Sequence, residues 1–389
     1  MCNKLSRKDL LLIILIIVET LIMFLFVFNP LIWSDEQFTV DLLQLSYKDV
    51  IKTAAHDSHP PLYYLGVKTW GDIWSWTGFN INCVSKAFSI IPFLILNIVS
   101  LTYIKKKIGV EYSILFSFML FFMPKLTYTC IEARMYSWGI LFVILTFIEG
   151  RKLINGEAKK ESWIPFCVFG MMAAYTHYFA CMAVIGIYVA VFIGIIKLKS
   201  FKNKFFNLIV CAIISAICYI PWLIIMFKQI GRKVDTGEYD FLPMNVKTVI
   251  GFGSSVLTLS CNDILDIIVL ILNISCIVLV IIELKRINTN CSKYYLSSIF
   301  IVPSIILVGV ACSLIAGHTL FGSRQLVFGS AILYGTIAMT IPLISNVKRK
   351  SFVVLVYIGI GILNGVLFIL HEATEMISGK LGDFYYTFS

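Results

Sequence analysis

Apolar stretches of about 20 residues, separated by short polar loops, recur along this whole chain. A helix of that length crosses a hydrocarbon core of roughly 30 Å. A soluble globule is excluded by composition, because 59% of the 389 residues are hydrophobic and 14% are charged, whereas soluble domains carry about 25% charged residues. We therefore predict an all-α polytopic membrane protein with about eleven spans, near residues 10–32, 84–104, 111–127, 136–149, 163–176, 179–196, 206–227, 264–284, 295–316, 325–344 and 352–370.

Lysine and arginine clusters label one end of the predicted bundle. They fall in alternate loops, and by the positive-inside rule those loops and the amino terminus are cytoplasmic. The net charge of +10 is thus mainly a topology signal, and short scattered clusters lack the continuous basic surface of a nucleic-acid-binding protein. We predict a multi-pass protein of a prokaryotic plasma membrane that contacts lipids and not nucleic acid, with its basic clusters at 4–8, 105–107, 151–160, 197–204, 285–293 and 348–350.

The whole chain, residues 1–389, is predicted to form one membrane domain. Its longest extracytoplasmic loop is 33–83. Within this loop, the sequence FTVDLLQLSYKDVIKTAA has apolar residues at the spacing of a helix that lies in the membrane interface. A later extracytoplasmic loop, 228–260, contains a Gly- and Ser-interrupted stretch that suits an interfacial or re-entrant segment. Residues 371–389 are predicted to be a short extracytoplasmic tail.

The loop 33–83 concentrates acids and histidine at membrane level. Asp35 and Glu36 come directly after the first span, and Asp57 and His59 precede a Pro-Pro pair that keeps the chain extended. Such groups supply a general base and contacts to a metal ion or phosphate. A solvated helix end explains one such acid equally well, and Asp57 with His59 are two of the ligands that a divalent cation needs.

Further candidates lie at the same end of later spans. Arg134 offers a planar fork of donors that suits phosphate, and Glu132 is placed to orient it. A structural ion pair at a helix terminus has the same pattern, a lone His177 is commonly a packed interfacial residue, and Arg324 alone suits a snorkelling anchor. The substrate-binding candidates beside Asp57 and His59 are Glu132, Tyr136, His177 and Tyr178.

In their order along the chain, these motifs resemble the family-39 glycosyltransferases. These are membrane enzymes of the GT-C fold, related to protein O-mannosyltransferases and lipid A aminoarabinose transferases. The likeness spans roughly residues 10–345, and is strongest where the acid pair and the HPP element follow the first span. The motifs are W-S-D-E (33–36), D-S-H-P-P-L-Y-Y (57–64), E-A-R-M-Y-S (132–137), T-H-Y-F (176–179), Y-I-P-W-L (219–223) and S-R-Q-L-V-F (323–328).

The resemblance implies transfer of a monosaccharide from a polyprenyl-phosphate donor to a lipid, glycan or protein acceptor at the outer membrane face. By matching position, Asp35 is the catalytic base, and Glu36 holds the acceptor or orders the site. Asp57 and His59 shape the donor site, with or without a divalent metal ion. By the same comparison, Arg134 and Arg324 hold the departing lipid phosphate.

Two departures and one alternative accompany the resemblance. No loop here has room for the soluble domains of those relatives, and Gln325 follows Arg324 where relatives commonly have tyrosine. The alternative is a non-enzymatic carrier or flippase for a lipid-linked sugar, which would need ionisable residues within several spans. Against this alternative we weigh Glu19 and Glu149, and Glu149 lies near a helix end.

Overall fold

The computed structural model describes residues 5–156, 162–236, 245–316 and 322–380, without the side chains of 230–236 and 315–316. Those residues are 84% helical, and no strand occurs among them. The α-helices are α1 Arg7–Phe26, α2 Ser34–Leu42, α3 Tyr47–His56, α4 Leu62–Trp74, α5 Ile81–Val99, α6 Lys105–Lys107, α7 Val110–Phe122, α8 Tyr136–Asn155, α9 Trp163–Thr176, α10 Tyr178–Ile195, α11 Phe201–Thr236, α12 Val246–Ser255, α13 Asp263–Ile287, α14 Asn290–Ile299, α15 Ile301–Ala316, α16 Val327–Thr340 and α17 Val347–Ser378. One π-helical turn joins α5 to α6, and 3₁₀ turns cover Ser75–Thr77, Thr127–Cys130, Arg324–Leu326 and Ile341–Leu343.

Within the described residues, eight helical segments are long and apolar enough to cross a membrane, which is the pattern of a multi-pass membrane protein. Three predicted spans fall on other helices. Two of these, α7 and α9, are shorter apolar helices, and the third, α8, has 20 residues and carries three charged side chains near its end. The eight segments are Arg7–Phe26, Ile81–Lys107, Tyr178–Ile195, Phe201–Gln229, Asp263–Ile287, Asn290–Leu314, Arg324–Leu343 and Val347–Ser378.

Several helix ends differ from the sequence prediction for local reasons. Helix α7 stops at Phe122, five residues before the predicted end of that span, because Pro124 disfavours helical geometry at Met123, which is extended. The amphipathic stretch after Asp35 forms two helices, α2 and α3, because Ser46 caps a new helix by accepting a hydrogen bond from the Asp49 amide. Helix α17 continues to Ser378, through the first eight residues of the predicted tail, and 381–389 lie outside the described residues.

The segment predicted to be interfacial or re-entrant contains one short helix, α12, which Asn245 caps. Its ten residues include none that is buried, and Val246 and Ile250 are strongly exposed. Residues 237–244 of the predicted loop lie outside the described residues. Helix α12 is therefore too short to span and is exposed, whereas Val256 and Leu259, which follow it, are buried.

The helices differ sharply in their burial within the protein. The segment containing α16 is 89% buried, whereas the segments of α1, α11 and α13 are about one-fifth buried and expose large apolar side chains. Apolar side chains that face away from the protein suit contact with lipid. Close packing around α16 includes Gly139 of α8, where a Cβ atom would lie 2.3 Å from the Phe328 ring.

The loops gather the charged groups at two opposite ends of the bundle. At the lysine-rich end, defined by residues 5–9, 105–111, 149–152, 283–293 and 345–350, Lys8 pairs with Glu111 and Lys105 with Asp9. At the site end, the chain after α1 meets the chain between α7 and α8, the α9–α10 junction and the 3₁₀ turn before α16. The site end is defined by residues 27–36, 57–64, 123–135, 177 and 322–326.

Candidate active site at the site end

The acid pair at the start of α2 is split into a buried and an accessible carboxylate. Glu36 accepts hydrogen bonds from the Ala133 amide at 2.7 Å and from the Trp33 amide at 3.2 Å. Burial raises the pKa of Glu36, while the Lys86 charge and these two amides oppose the rise. Asp35 instead keeps 44% of its side chain exposed. Glu36 therefore fastens α2 to the loop before α8, and Asp35 is the carboxylate that a substrate can reach.

Two guanidinium groups flank Asp35. Arg134 donates to the Asp35 backbone oxygen at 2.9 Å, and its Nη2 lies 3.9 Å from the Asp35 carboxylate. Arg324 approaches the same carboxylate at 3.4 Å and lies over the Trp33 ring, 3.8 Å from its centre. Burial acts to lower the pKa of Arg134, but Tyr64 and nearby carboxylates outweigh it and raise the pKa above its ordinary value. Arg134 is thus a fixed cation.

Glu132 and Lys125 extend this charged group. Glu132 lies 3.5 Å from the Arg324 guanidinium, and Ser89 donates a hydrogen bond to its backbone oxygen at 2.5 Å. Burial raises the pKa of Glu132 to about 7, although Arg324 opposes the shift. Burial, helped by the Arg324 charge, lowers the pKa of Lys125 to about 7. Both groups therefore change charge near neutral pH.

The Asp57 carboxylate lies near Arg134 and contacts His59. His59 Nδ1 is 3.0 Å from Asp57 Oδ2, which also accepts a hydrogen bond from the Tyr64 hydroxyl at 3.2 Å. Burial opposes ionisation of Asp57, but His59 and the Arg134 charge outweigh it and lower its pKa. Burial lowers the pKa of His59 despite the neighbouring Asp57. Asp57 and His59 provide two metal-ligand atoms, and the metal site predicted there stays a prediction.

His177 occupies the single extended residue between α9 and α10. Its Nδ1 accepts a hydrogen bond from the Phe179 amide at 3.0 Å, so Nδ1 carries no proton. Its ring centre lies 5.1 Å from that of His59, 5.7 Å from that of Tyr136 and 4.9 Å from that of Phe328. Burial, with the charges of His59 and Arg134, lowers the pKa of His177. A neutral His177 therefore forms an aromatic wall next to Asp57 and His59.

Tyr178 is engaged in a separate contact that holds α11. Its hydroxyl donates to Gln229 and accepts from the Trp222 indole at 3.1 Å. Gln229 in turn donates to the Ala54 backbone oxygen at 2.9 Å. Among the site residues predicted from the sequence, Tyr178 is therefore the one whose contacts most clearly indicate a structural role.

The structure adds two site residues to which sequence reasoning assigned no role. Lys86 donates to the Leu31 backbone oxygen at 2.6 Å and acts on the Glu36 carboxylate. Tyr64 contacts Asp57 and lies near Arg134. A lysine within a predicted span was a usable signal, since such residues are rare and generally paired. Tyr64 gave none, because aromatic residues are common near membrane surfaces.

The fold and the site together define a class: an all-helical, multi-pass membrane protein with buried opposite charges around one accessible carboxylate. Searches against protein-family models, curated proteins and solved structures each find no match.

Proposed function

We propose that this protein is an inverting glycosyltransferase that moves a monosaccharide from a polyprenyl-phosphate donor to a lipid, glycan or protein acceptor. One observation carries the proposal: Asp35, 44% exposed, lies within 4 Å of both Arg134 and Arg324. A base and preorganised cations are what a transfer with a phosphate leaving group requires. The motif resemblance to the family-39 enzymes supports the same chemistry.

The transfer assigns a task to each of these side chains. Asp35 removes the proton of the acceptor hydroxyl, whose oxygen attacks the anomeric carbon from the face opposite the phosphate. The new carbon–oxygen bond forms as the anomeric carbon–phosphate oxygen bond breaks, and the electron pair leaves with the polyprenyl phosphate. Arg324 and Arg134 stabilise the charge that develops on that phosphate.

Two features support the binding of a lipid-linked donor. The site lies beside Trp33 and the end of α1, whose apolar side chains are widely exposed, so a polyprenyl tail can stay in lipid while its phosphate meets the cations. The lysine-rich end is opposite, and under the positive-inside rule this arrangement supports a site end outside a plasma membrane. Asp57, His59, Tyr136 and His177 are the proposed sugar contacts.

The test is transfer by the purified protein in liposomes. Polyprenyl phosphates carrying radiolabelled hexoses, pentoses or amino sugars are supplied with an envelope fraction from cells lacking the protein, and release of free polyprenyl phosphate is measured. We expect Asp35→Asn to lower the rate about 10²–10⁴-fold. Asp41→Asn is the matched control, because Asp41 is exposed on the same helix and contacts Gln37. Full activity of Asp35→Asn, or no release from any donor by the wild-type protein, would refute the proposal.

A second candidate function is transport of a lipid-linked sugar without transfer. It is favoured by a series of buried polar side chains that are hydrogen-bonded to one another within the spans. Glu19 of α1 accepts a hydrogen bond from Asn97 at 2.9 Å, and Ser117 donates to Asn97 at 2.7 Å. Ionisable groups in spans often mark transport paths. Movement of intact donor across the liposome membrane, lost in Glu19→Gln and kept in Asp35→Asn, would favour the carrier over the transferase.

A further inference from the structure

A second group of metal-ligating side chains lies on the last two turns of α17, away from the residues proposed for sugar transfer. The ligand atoms of His371, Glu372 and Glu375 all lie within 4.8 Å of one another. His371 and Glu375 are four residues apart, and Glu372 and Glu375 are three apart, so they share one helix face. Within the described residues, this is the one group of three or more such side chains with ligand atoms this close.

The spacing of the ligand atoms suits a small transition-metal ion. His371 Nε2 and Glu375 Oε1 are 3.3 Å apart. Zinc binds nitrogen and carboxylate oxygen at about 2.0–2.2 Å, and adjacent ligands in a tetrahedron of that size are separated by about 3.3–3.5 Å. The separation of His371 Nε2 and Glu375 Oε1 therefore matches one edge of such a tetrahedron, and a carboxylate oxygen of Glu372 lies within 4.8 Å of both atoms.

Burial and charge favour a cation at this place. Glu372 is fully buried and Glu375 is 2% exposed, and the two carboxyl groups are less than one helical turn apart. Two buried carboxylates need compensating positive charge. The Lys86 ammonium acts on Glu372, and His371 lies 3.3 Å from Glu375. A divalent ion bound by the three side chains would add positive charge beside both carboxylates.

The surroundings supply an outer contact of the kind that orients metal ligands. The Asn29 amide lies 3.4 Å from Glu372 Oε2, so it is placed to donate to that carboxylate. Carboxylates that bind metals are themselves commonly hydrogen-bonded. Asn29 belongs to the segment that leads from α1 to Trp33 and α2. An ion on α17 would therefore also fix the backbone that carries Asp35.

We propose that His371, Glu372 and Glu375 bind one divalent transition-metal ion, with zinc best matched to the donor set, and that this ion fastens the end of α17 to the 27–36 segment. Three protein ligands leave a fourth position, which a water molecule fills. The role is structural and does not depend on the proposed sugar transfer.

The experiment measures zinc content and thermal unfolding of the full chain in detergent, purified without a histidine tag. After treatment with chelator and desalting, the protein is incubated with Zn²⁺, Mg²⁺ or Ca²⁺ alone. We expect one bound zinc per chain, a rise of about 5 °C in the unfolding midpoint with Zn²⁺, and little rise with Mg²⁺ or Ca²⁺. Less than a tenth of a zinc per chain, with no rise in the midpoint, would overturn the proposal.

Substitutions of the proposed ligands test where the ion binds. We expect His371→Ala and Glu375→Gln each to weaken zinc binding at least tenfold in a competition with a metal-binding dye. His59→Ala is the matched control, since Asp57 and His59 form the other histidine–carboxylate pair considered for a metal, and we expect it to keep its zinc. Zinc retained in His371→Ala and lost in His59→Ala would refute the α17 site. If His371→Ala does not fold, Glu375→Gln and Glu372→Gln decide by the same readout, which is independent of transferase activity.

Discussion

At the lysine-rich end Lys8 remains 57% exposed where it pairs with Glu111, whereas at the site end Arg134 is 4% exposed beside Asp35. Exposed pairs of the first kind contribute about 0–1 kcal/mol, because water screens them and two long side chains lose freedom. Buried charges of the second kind cost several kcal/mol to desolvate and depend on every partner. The Lys8–Glu111 pair therefore tolerates change, whereas Arg134 belongs to a fixed arrangement of buried charges.

The largest effect is expected from removing a buried cation. Arg134→Met keeps much of the side-chain volume but leaves Asp35, Asp57 and Glu132 without that charge, so we expect a loss of about 3–5 kcal/mol in the free energy of unfolding. Arg286→Met is the control, because Arg286 is 66% exposed and Arg349 still reaches its partner Glu283. The control should lose less than about 1 kcal/mol. Equal losses in detergent unfolding would show that the two ends do not differ.

An intermediate effect is expected from pH at Glu132. Its pKa is raised from 4.5 to about 7, so between these values the folded protein binds more protons than the unfolded chain. The contribution of Glu132 to stability therefore falls as pH rises from 4.5 to 7, by at most about 3 kcal/mol. The unfolding midpoint of wild type relative to Glu132→Gln should decline over that interval.

Glu111→Gln serves as the control for this titration, because Glu111 is an exposed acid of the lysine-rich end. We expect this variant to keep the pH dependence of the wild type. Parallel profiles for wild type and Glu132→Gln would mean that Glu132 does not titrate in this interval.

The smallest effect is expected at the lysine-rich end. Lys8→Met removes one partner of Glu111, which still lies 3.4 Å from Lys350. We expect a loss below about 1 kcal/mol that shrinks further in high salt. A loss above about 2 kcal/mol, insensitive to salt, would show that this end also depends on fixed charges.

The sequence predicted the helical membrane class and the residues that gather at the site end, for different reasons. Apolar length can be read from consecutive residues, so the eight described helices long and apolar enough to span follow from it directly, while α7 and α9 are too short to be assigned by the same criterion. Asp35 and Arg324 were each recognisable by position, but nothing local joins residues 289 apart. Tyr178 is the opposite case. It follows His177 in the sequence and was predicted to be a site residue, but its contacts hold α11.

The roles within the acid pair also needed the fold. Asp35 and Glu36 are chemically alike as neighbouring acids, and the family resemblance alone gave them different expected roles. Their environments differ because the Ala133 amide, 97 residues from Glu36, meets only Glu36. The π-helical turn and the ends of α5 and α6 were likewise not evident from the apolar pattern, which runs through them without a break.

By itself, the sequence indicated a membrane protein made of helices, with lysine-rich loops at one end and the candidate site residues at the other, because hydropathy and loop charge act residue by residue. Only the tertiary structure decided which charges are buried, which carboxylate stays accessible, and that Asn29 lies beside Glu372 of α17. Burial and pairing depend on distances between helices far apart in the chain, and those distances exist only once the bundle has packed.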